Sequence, residues 1–564
     1  MNKKNFFQIF LALLVTASVS GYSMYRYVSG PLNGNFSSHI MSAKHWGVPV
    51  ELEKNGIEPL YTAKNVVGWD GQFYYFMAND LLAQKDTSEH IDADAYRYQR
   101  IGLPLFAKIL SVVTLQDWVS TQTYYASSFI LILLAVLVGG HYFARNNVSP
   151  LWMLPWSLGI GTQITMLNGL PDAAADAFFI IALVACLSRR YWFYCVFISF
   201  AALSREAYIL FPLIFFAGMT WVQFKTKEHQ FRLLDWLLCA IPIVLFACWH
   251  IFVRVHFDKT PELQASKILG FPLISTFTHM FAGLSGHYPG APEGAFSRLQ
   301  GADIVFYLIL LFSTYAAAFK FSPLKKLNFT NILPTALSLY LISLISLYLF
   351  FGDTVMGHFT GYMKAASLFL FLWPFFILLS GGKIQKHVGL LLLAITILFG
   401  KQAWDIRIKQ PTIFSRYEDV ICTRDAIATS KKCMHKLIIP AKKLPGTLGE
   451  VVNTERIVSN KDGQGFVSYG PYIKLEGGHY KFTLSYSGRP DQVDKALGYW
   501  DIGRFVPADS VIVLHKAELQ TGENVFAEIT IQIPEEGIEL IEIRVWFNGA
   551  GTMTMKHLEI EKLD

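Results

Sequence analysis

Long apolar runs, separated by short polar connections, occupy most of the chain from residue 6 to residue 403. A membrane-spanning helix requires about 20 predominantly apolar residues, and eleven runs approach that length. They lie at 6–28, 122–143, 151–168, 173–188, 191–203, 206–223, 234–255, 302–319, 330–351, 363–380 and 387–403. The pattern predicts an α-helical, multi-pass membrane domain over residues 1–403.

Lysine and arginine fall unevenly on the two sides of these predicted spans. Alternate connections carry them at Arg145, at Arg189 and Arg190, and in clusters at 225–232, 320–326 and 383–386. The short connections at 168–172 and 352–362 carry none. Because cytoplasmic loops are enriched in these residues, the bias predicts a cytoplasmic amino terminus. It places outside the cytoplasm the loop 29–121, the loop 257–301 and the tail 404–564.

Two segments affect this count of spans. Lys3 and Lys4 precede the first run as in a signal peptide, but the apolar character continues through Val28 without a clear cleavage site. A retained first span is therefore predicted. Residues 103–119 place apolar side chains at helical spacing opposite a polar face, which predicts a helix along the outer membrane surface rather than a span.

The pattern of apolar and polar residues changes after residue 403. Apolar residues alternate with polar ones at Tyr480, Phe482, Leu484 and Tyr486, and further strand-like runs follow between turns rich in Gly, Pro and Asn. This period of two predicts an extracytoplasmic all-β sandwich or jelly roll over residues 440–564, joined by a linker at 404–439.

Composition agrees with this division. The chain is 53% hydrophobic and only 16% charged, as expected of a protein largely embedded in lipid. Its net charge of +6 comes from lysines and arginines clustered between apolar runs, which is the pattern that sets membrane orientation. A nucleic-acid partner is therefore not expected.

The densest polar and aromatic segment of the outer loop spans residues 68–75, with Asp70 between Trp69 and Gly71. A partly desolvated carboxylate among aromatic rings is a candidate base toward a sugar hydroxyl. The structural alternative is a surface turn flanked by interfacial aromatic residues. Further along the loop, Arg97 and Arg100 stand beside tyrosines and suit a phosphate group. The alternative for them is nonspecific contact with anionic lipid.

Further ionisable residues lie at the outer ends of the predicted spans. Asp172 opens the fourth span with Asp176 one turn deeper, Arg205 and Glu206 lie between the fifth and sixth, and Lys364 begins the tenth. Ionisable residues at membrane depth usually mark a functional interior. A helix cap at Asp172 and an ion pair between Arg205 and Glu206 are the structural alternatives. The predicted topology brings all of these groups to the same side as Asp70.

Taken in order, residues 69–75, 96–100, 169–172 and 204–206 resemble motifs of bacterial cell-surface glycopolymer proteins related to the GT-C membrane glycosyltransferases. The resemblance covers most of residues 1–403. It implies location in the bacterial inner membrane, a sugar donor on polyprenyl phosphate, and a glycan or glycolipid acceptor outside the cytoplasm. The tail, with Tyr469, Pro471 and Tyr472, is similar to carbohydrate-binding jelly rolls, and Tyr499, Trp500 and Trp546 are candidates for stacking on sugars.

The same resemblance implies roles for individual residues. An acidic residue of the first outer loop is the catalytic base of GT-C enzymes, and Asp70 matches it, with Asp92 and Asp94 as alternatives. Basic residues near the membrane surface hold the lipid phosphate. The expected substrate-binding set is Gln72, Tyr74, Arg97, Arg100, Asp172, Arg205, Glu206 and Lys364.

No dedicated metal-ligand spacing accompanies these residues, so no obligatory cofactor is expected, although a divalent metal could share in neutralising the phosphate. Two other functions are compatible with the sequence. A lipid-linked-sugar flippase or polysaccharide export component would use these polar residues as a translocation path, and an assembly scaffold would use the β domain to recruit an enzyme. The absence of obvious internal repeats in the sequence favours the transferase over a transporter.

Overall fold

A computed structural model gives the fold. It describes residues 3–29, 37–40, 42, 45–57, 68–226, 231–261, 268–288, 295–321, 332–357, 361–379, 436–475, 477–491, 496–506, 510–535 and 537–563. The predicted span at 387–403 and most of the predicted linker at 404–439 lie outside these residues.

The chain divides into two compact units, and the division does not simply follow the order of the sequence. The first unit comprises residues 1–25 and 70–407, and the second comprises residues 26–69 and 408–564. The outer loop predicted at 29–121 is shared, because its first part groups with the tail and its remainder, beginning at Asp70, groups with the helices.

The first unit is helical. Its elements are α1 (Lys3–Ser29, which runs on past residue 25), α3 (Gly71–Asn79), α4 (Asp94–Tyr98), α5 (Gly102–Val113), α6 (Thr121–Arg145), α7 (Leu154–Ser157), α8 (Ile160–Leu167), α9 (Asp172–Leu187), α10 (Tyr191–Ser204), α11 (Leu210–Thr226), α12 (Leu233–Phe257), α13 (Ile274–Leu284), α14 (Ala295–Phe321), α15 (Ile332–Tyr348), α16 (Asp353–Met356), α17 (Gly361–Ala366) and α18 (Phe369–Leu379). Single 3₁₀ turns at Asp86–His90, Pro150–Met153 and Glu206–Ile209 join some of them.

Among the described residues, five helical segments are long and apolar enough to cross a membrane. They are Lys3–Val28, Thr121–Arg145, Glu206–Lys225, Leu233–Phe257 and Ser297–Phe319. Each coincides with one of the predicted spans. A membrane protein with several spans is therefore supported, whereas a count of eleven is not.

Within the described residues, the other predicted spans are shorter or broken. The run at 151–168 forms a 3₁₀ turn and two short helices that break at Leu158 and Gly159, and the run at 363–380 is divided between α17 and α18. Helices α9, α10 and α15 contain 16, 14 and 17 residues. At 12 residues, α5 is also too short to span, as predicted for the segment 103–119.

Two glycines allow the close contacts that assemble the polar region. A Cβ atom on Gly71, at the start of α3, would lie 1.8 Å from the carbonyl oxygen of Asn168 in the turn before α9. A Cβ on Gly161 of α8 would lie 2.4 Å from the carbonyl oxygen of Met363 in α17. Because real Cβ atoms do not approach that closely, only glycine permits α3 and α17 to sit where they do.

The second unit contains α2 (Val50–Lys54) and the 3₁₀ turn Ser37–Ile40, followed by a β region. Its strands are β1 (Lys436–Pro440), β2 (Glu450–Val452), β3 (Glu455–Ser459), β4 (Gly465–Ser468), β5 (Pro471–Leu475), β6 (Gly478–Pro490), β7 (Gly498–Val506), β8 (Ser510–Glu518), β9 (Gly522–Ile533), β10 (Ile538–Phe547) and β11 (Gly551–Lys562). Short 3₁₀ turns occur at Ala441–Lys443 and Asn460–Asp462.

These strands form two antiparallel sheets. One has the order β2-β3-β11-β6-β9 with β1 also paired to β11, and the other has the order β4-β10-β7-β8 with β5 also paired to β10. Alternate side chains of both sheets, including Phe482, Trp500 and Val545, form one buried core, which defines a β sandwich. The sequence-predicted strands are confirmed here. Strand β1, which precedes residue 440, also belongs to this region because it pairs with β11.

Candidate functional site

Arg97 joins two of the acids that the sequence proposes as alternatives. Its Nε and Nη2 atoms donate to the two carboxylate oxygens of Asp92 at 2.9 and 2.7 Å, and its Nη1 atom donates to Asp70 Oδ2 at 3.1 Å. The guanidinium group lies over the Phe73 and Tyr74 rings, 5.1 and 5.8 Å from their centroids. The fork geometry of arginine allows this bridge between two carboxylates, which lysine does not reproduce.

Asp70 remains accessible despite this pairing. It precedes α3 at the position of a helix cap, but its side chain makes no capping hydrogen bond. About half of the side chain, 49%, is exposed. Partial burial by itself would raise the pKa of Asp70, but the charges of Arg97 and Lys364 outweigh it and hold that pKa below its usual value. Asp70 is therefore ionised at neutral pH and is a weaker base than desolvation alone would make it.

Arg100 forms a second ion pair, with a residue more than a hundred positions away. Its Nε atom lies 3.0 Å from each carboxylate oxygen of Glu206, and its Nη2 atom lies 2.8 Å from Glu206 Oε1. Gln99 Nε2 donates to the same oxygen at 2.9 Å. The Tyr96 ring lies between the two arginines, 5.6 Å from Arg97 and 4.6 Å from Arg100, and its burial raises the pKa of its hydroxyl to about 12.

Arg205 is directed toward a different acid from its neighbour in sequence. Its Nε atom lies 3.8 Å from Asp172 Oδ1, and its Nη1 atom donates to the carbonyl oxygen of Ala365 at 3.2 Å. Its guanidinium group lies 5.8 Å from the ring centroid of Tyr348. The predicted pairing of Arg205 with Glu206 is thus replaced by contacts with α9 and α17. Asp172 is the first residue of α9, where the helix dipole favours a negative charge.

Lys364 differs from the three arginines. It lies on α17, and within the part of the chain that the structure describes its ammonium group forms no ion pair or hydrogen bond. It is near enough to Asp70 for its charge to act on that carboxylate. Lys364 is consequently the cation of this cluster that remains available for an external anion.

Gln72 and Tyr74, the other predicted binding residues of the first motif, are both buried in α3. Tyr74 packs beneath the Arg97 guanidinium group, and its hydroxyl has no hydrogen-bond partner among the described residues. The helix thus brings the Tyr74 ring to the Asp70 and Arg97 pair. Gln72 is fully buried, so reaching a ligand would require movement of its surroundings.

Two other acids have structural partners instead. Asp94 accepts from Lys259 Nζ at 2.6 Å and from the backbone N–H of Ala95 at 2.8 Å. Asp176 is completely buried and accepts hydrogen bonds from Trp156 at 3.1 Å, from Tyr208 and from Ser367. These partners tie α9 to three other parts of the helical unit, so Asp176 organises the fold rather than facing a ligand.

Sequence reasoning did not indicate the contacts of two contributors to this cluster. Asp92, proposed from the sequence as an alternative base, holds one edge of the Arg97 guanidinium group. Tyr348 lies beside Arg205 and donates to the carbonyl oxygen of Ala365 at 2.9 Å, and no sequence signal connects it to either residue. Among the described residues, no group of three His, Cys, Asp or Glu side chains is placed to hold a metal ion.

The aromatic candidates of the β unit divide into two kinds. Trp500 belongs to the buried core and is unavailable to a ligand. Tyr499 and Trp546 lie on the opposite face of their sheet, with parallel rings 6.2 Å apart, and Lys516 Nζ lies 3.6 Å from the Tyr499 centroid. Two of the three proposed stacking residues are thus placed on an outer sheet face.

Searches of protein-family models and of curated proteins returned no match for this chain.

Proposed function

We propose that the protein is an inverting glycosyltransferase that moves a sugar from a polyprenyl-phosphate donor to a glycan or glycolipid acceptor outside the cytoplasm. One observation carries the proposal. A half-exposed, ionised carboxylate, Asp70, lies beside the buried Arg97 and within electrostatic reach of Lys364, which has no ion-pair partner among the described residues. The same unit contains several helices long and apolar enough to cross a membrane. A carboxylate near free positive charge suits a reaction that moves a proton and releases a phosphate.

The donor phosphate would bind chiefly at Lys364. Arg97, Arg100 and Arg205 already have carboxylate partners at 2.7 to 3.8 Å, so most of their charge is compensated. A phosphate that approached an arginine would have to displace a carboxylate or share its guanidinium group. Lys364 has no such competitor among the described residues, and its three ammonium N–H groups suit phosphate oxygens.

Asp70 would act as the base. Its lowered pKa makes it a poor proton acceptor in the free protein, but the single negative charge of the bound donor phosphodiester would partly offset the nearby positive charges. The pKa of Asp70 would then rise toward the range in which a carboxylate accepts a proton efficiently. Binding of the donor thereby makes Asp70 a stronger base toward the acceptor hydroxyl. Little proton transfer should occur before both substrates are bound.

The chemical step is a single displacement. Asp70 takes the proton of an acceptor hydroxyl while that oxygen forms a bond to the anomeric carbon. The bond between this carbon and the phosphate oxygen breaks, its electron pair leaves on polyprenyl phosphate, and configuration inverts. Lys364, with Arg97 behind it, stabilises the charge that develops on the departing phosphate. Asp92 contributes by holding Arg97 in the orientation that reaches Asp70.

The cellular setting belongs to the same proposal. The apolar helices support residence in a membrane, and the distribution of lysine and arginine favours an amino terminus inside and the β domain outside. The bacterial inner membrane is proposed from the resemblance to GT-C proteins alone. The β domain would bind the glycan through its outer sheet face, where Tyr499 and Trp546 stack, as expected for a carbohydrate-binding jelly roll.

A lipid-linked-sugar carrier is the second candidate, and one feature favours it. The segments at 151–168 and 361–379 are each broken into short helices, and broken helices near polar residues are common in transporters. The breaks lie close together, because α8 packs on α17. In a carrier, Lys364 would bind the phosphate during translocation and Asp70 would transfer no proton.

Release of polyprenyl phosphate distinguishes the two functions. The full-length protein in lipid nanodiscs is incubated with synthetic polyprenyl-phosphate hexoses and pentoses and with surface glycan from a strain that lacks the protein. Mass spectrometry should detect polyprenyl phosphate with the wild type, and Asp70→Asn should reduce its rate of formation by about 10²- to 10⁴-fold. Asp94→Asn, an equally conservative change of an acid bound to Lys259, is the matched control. No release by the wild type in nanodiscs, with donor still translocated across the membrane of sealed proteoliposomes, would favour the carrier.

A further inference from the structure

A second group of polar residues lies on one face of α14, whose segment Ser297–Phe319 is apolar enough to cross a membrane. Gln300, Asp303 and Tyr307 recur at intervals of three and four residues, so they share that face. Their exposed fractions are 0, 0 and 1%. We refer to these three residues as the α14 polar face.

Several atoms of this face have no hydrogen-bond partner within the described part of the chain. They are Gln300 Nε2, Gln300 Oε1, Asp303 Oδ1 and the Tyr307 hydroxyl. An unpaired polar group inside a protein is costly, and inside a membrane domain it has no bulk water as a substitute. Polar side chains at such depth usually serve a ligand or a pathway.

The α14 polar face borders the candidate site. Tyr362 of α17 donates its hydroxyl to Asp303 Oδ2 at 2.8 Å, and its ring lies 5.4 Å from that of Tyr307. Lys364 follows two residues later on the same short helix. Tyr307 is also within electrostatic reach of Arg205. Helix α17 therefore stands between the unpaired atoms and the phosphate site proposed at Lys364.

The chemistry of the unpaired atoms indicates what they would bind. Gln300 Nε2 and the Tyr307 O–H are donors, whereas Gln300 Oε1 and Asp303 Oδ1 are acceptors, at least while the carboxyl is ionised. A metal cation would satisfy the acceptors and leave both donors unpaired. Each hydroxyl of a sugar both donates and accepts, so a sugar ring can satisfy the whole set, and the Tyr307 and Tyr362 rings offer apolar surface to its C–H faces.

We propose that the α14 polar face binds a sugar ring of the acceptor, with Gln300, Asp303 and Tyr307 hydrogen-bonded to its hydroxyls. Because these side chains are at most 1% exposed, the packing around them must open to admit the ring. The identity of this sugar as the acceptor, rather than another saccharide, rests on the proposed transferase function. The binding of a saccharide to this face does not rest on that function. The site would hold the acceptor across α17 from the donor phosphate, so that one short helix contacts both substrates.

Saccharide binding tests this site directly. The full-length protein in nanodiscs is examined by saturation-transfer NMR with glucose, galactose, rhamnose, N-acetylglucosamine and oligosaccharides released from the surface glycan. At least one should bind the wild type, and Gln300→Leu and Tyr307→Phe should each weaken it by about tenfold, a change of about 1.4 kcal/mol. Tyr315→Phe, on the same helix but outside the polar face, should bind as the wild type does.

The stability of the variants adds an independent readout. Gln300→Leu removes two unpaired polar atoms and should raise the melting temperature while it weakens binding, which a residue with only a structural role would not do. Binding of no saccharide, or equal binding by wild type and Gln300→Leu because ordered water alone occupies the face, would overturn the inference. If saccharide binds as expected but the wild type never releases polyprenyl phosphate, the binding site stands and the transferase function fails.

Discussion

At the scale of single residues, Arg97 determines what its two acidic neighbours can do. Its contacts with Asp92 use one edge of the guanidinium group and leave one donor for Asp70. Asp70 is thereby fixed and ionised but still reaches solvent, and this combination makes it the best candidate base of the three loop acids. Asp92 and Asp94 are instead held in close ion pairs, Asp92 by Arg97 and Asp94 by Lys259.

The pH dependence of transfer should reveal the charges around Asp70. Asp70 must be ionised to accept a proton, so activity falls as the pH drops through its pKa. Since this pKa is below the usual value in the free protein, the acidic limb of kcat/KM should lie below about pH 4. The acidic limb of the kcat profile should lie at higher pH than that of kcat/KM, because the bound donor phosphate offsets the positive charges around Asp70.

The substitution Lys364→Met tests whether nearby positive charge lowers the pKa of Asp70. Loss of the ammonium charge removes an influence that lowers the pKa of Asp70, so the acidic limb of kcat/KM should move to higher pH. KM for the donor should rise as well, because the phosphate loses its free cation. Lys259→Met, which removes a lysine paired to Asp94, is the control. An unmoved limb in Lys364→Met would exclude the proposed coupling.

Asp92→Asn should impair transfer without removing any group that contacts the substrates. The amide offers one acceptor instead of two, so Arg97 loses part of its anchor and can turn toward Asp70. We expect kcat to fall by about tenfold with little change in KM, the size of one lost charge-assisted hydrogen bond. Steady-state kinetics beside Asp94→Asn measures this. A loss as large as that of Asp70→Asn would instead assign the base to Asp92.

At the scale of the elements, the site depends on close approaches between short helices. The turn before α9 touches the first residue of α3, and α17 touches α8, in both cases over a glycine. These contacts bring Asp70, Asp172 and Lys364, which are far apart in sequence, into one region. The broken helices α7 with α8 and α17 with α18 are part of the same arrangement.

Gly71→Ala tests the first of these contacts. The new methyl group would lie 1.8 Å from the carbonyl oxygen of Asn168, so α3 must move away from the turn. We expect a loss of about 1–3 kcal/mol in stability, the usual range for overpacking, and a marked loss of transfer activity. Gly21→Ala is the control, since a Cβ there meets nothing within 4 Å. Equal melting temperatures for both variants would show that α3 is not held in this way.

Sequence patterns predicted the long helices and the later strands better than the broken helices and the short early strands, and each difference has a physical reason. Long apolar runs identified five helices because length and hydropathy alone define them. The run at 151–168 is also apolar, but the structure breaks it at Leu158 and Gly159, and Pro155 lies in the first turn of the short helix before that break. Period-two alternation predicted β6 and β8 to β11 well, whereas the short early strands, such as β2 with three residues, carry too few positions to show a period.

The site residues were predicted individually, but their pairing was not. Arg100 binds Glu206, which lies 106 positions away, and Arg205 binds Asp172 rather than the adjacent Glu206. Such pairs depend on which helices pack together, and no local spacing encodes that. The same limit explains why the α14 polar face went unnoticed, since Gln300, Asp303 and Tyr307 are ordinary residues until their burial is known.

At the scale of the whole molecule, the account requires that the β sandwich and the amino terminus lie on opposite sides of a membrane. Arg145 ends α6 in a connection predicted to be cytoplasmic, and the strands of the β sandwich follow the last described helix by more than fifty residues. The distribution of charges supports this sidedness, and the apolar helices support the membrane itself.

Cysteine labelling measures the sidedness. In a cysteine-free background, Lys461→Cys in the β sandwich should react with a membrane-impermeant maleimide in intact spheroplasts. Asn147→Cys, after α6, should react only when the membrane is lysed. Both side chains are exposed in the structure, so accessibility within the protein does not limit either reaction. Labelling of Asn147→Cys in intact spheroplasts would reverse the predicted orientation.

The central claim is that Asp70 transfers a proton during sugar transfer, and the composition of the surface glycan tests it most directly. A strain without this protein is complemented with wild type, Asp70→Asn or Asp94→Asn at equal membrane levels, and its surface polysaccharide is analysed by mass spectrometry. We predict that the glycan of the Asp70→Asn strain lacks the same single sugar as the glycan of the deletion strain, whereas the glycan of the Asp94→Asn strain contains it. A wild-type glycan in the Asp70→Asn strain would contradict the account.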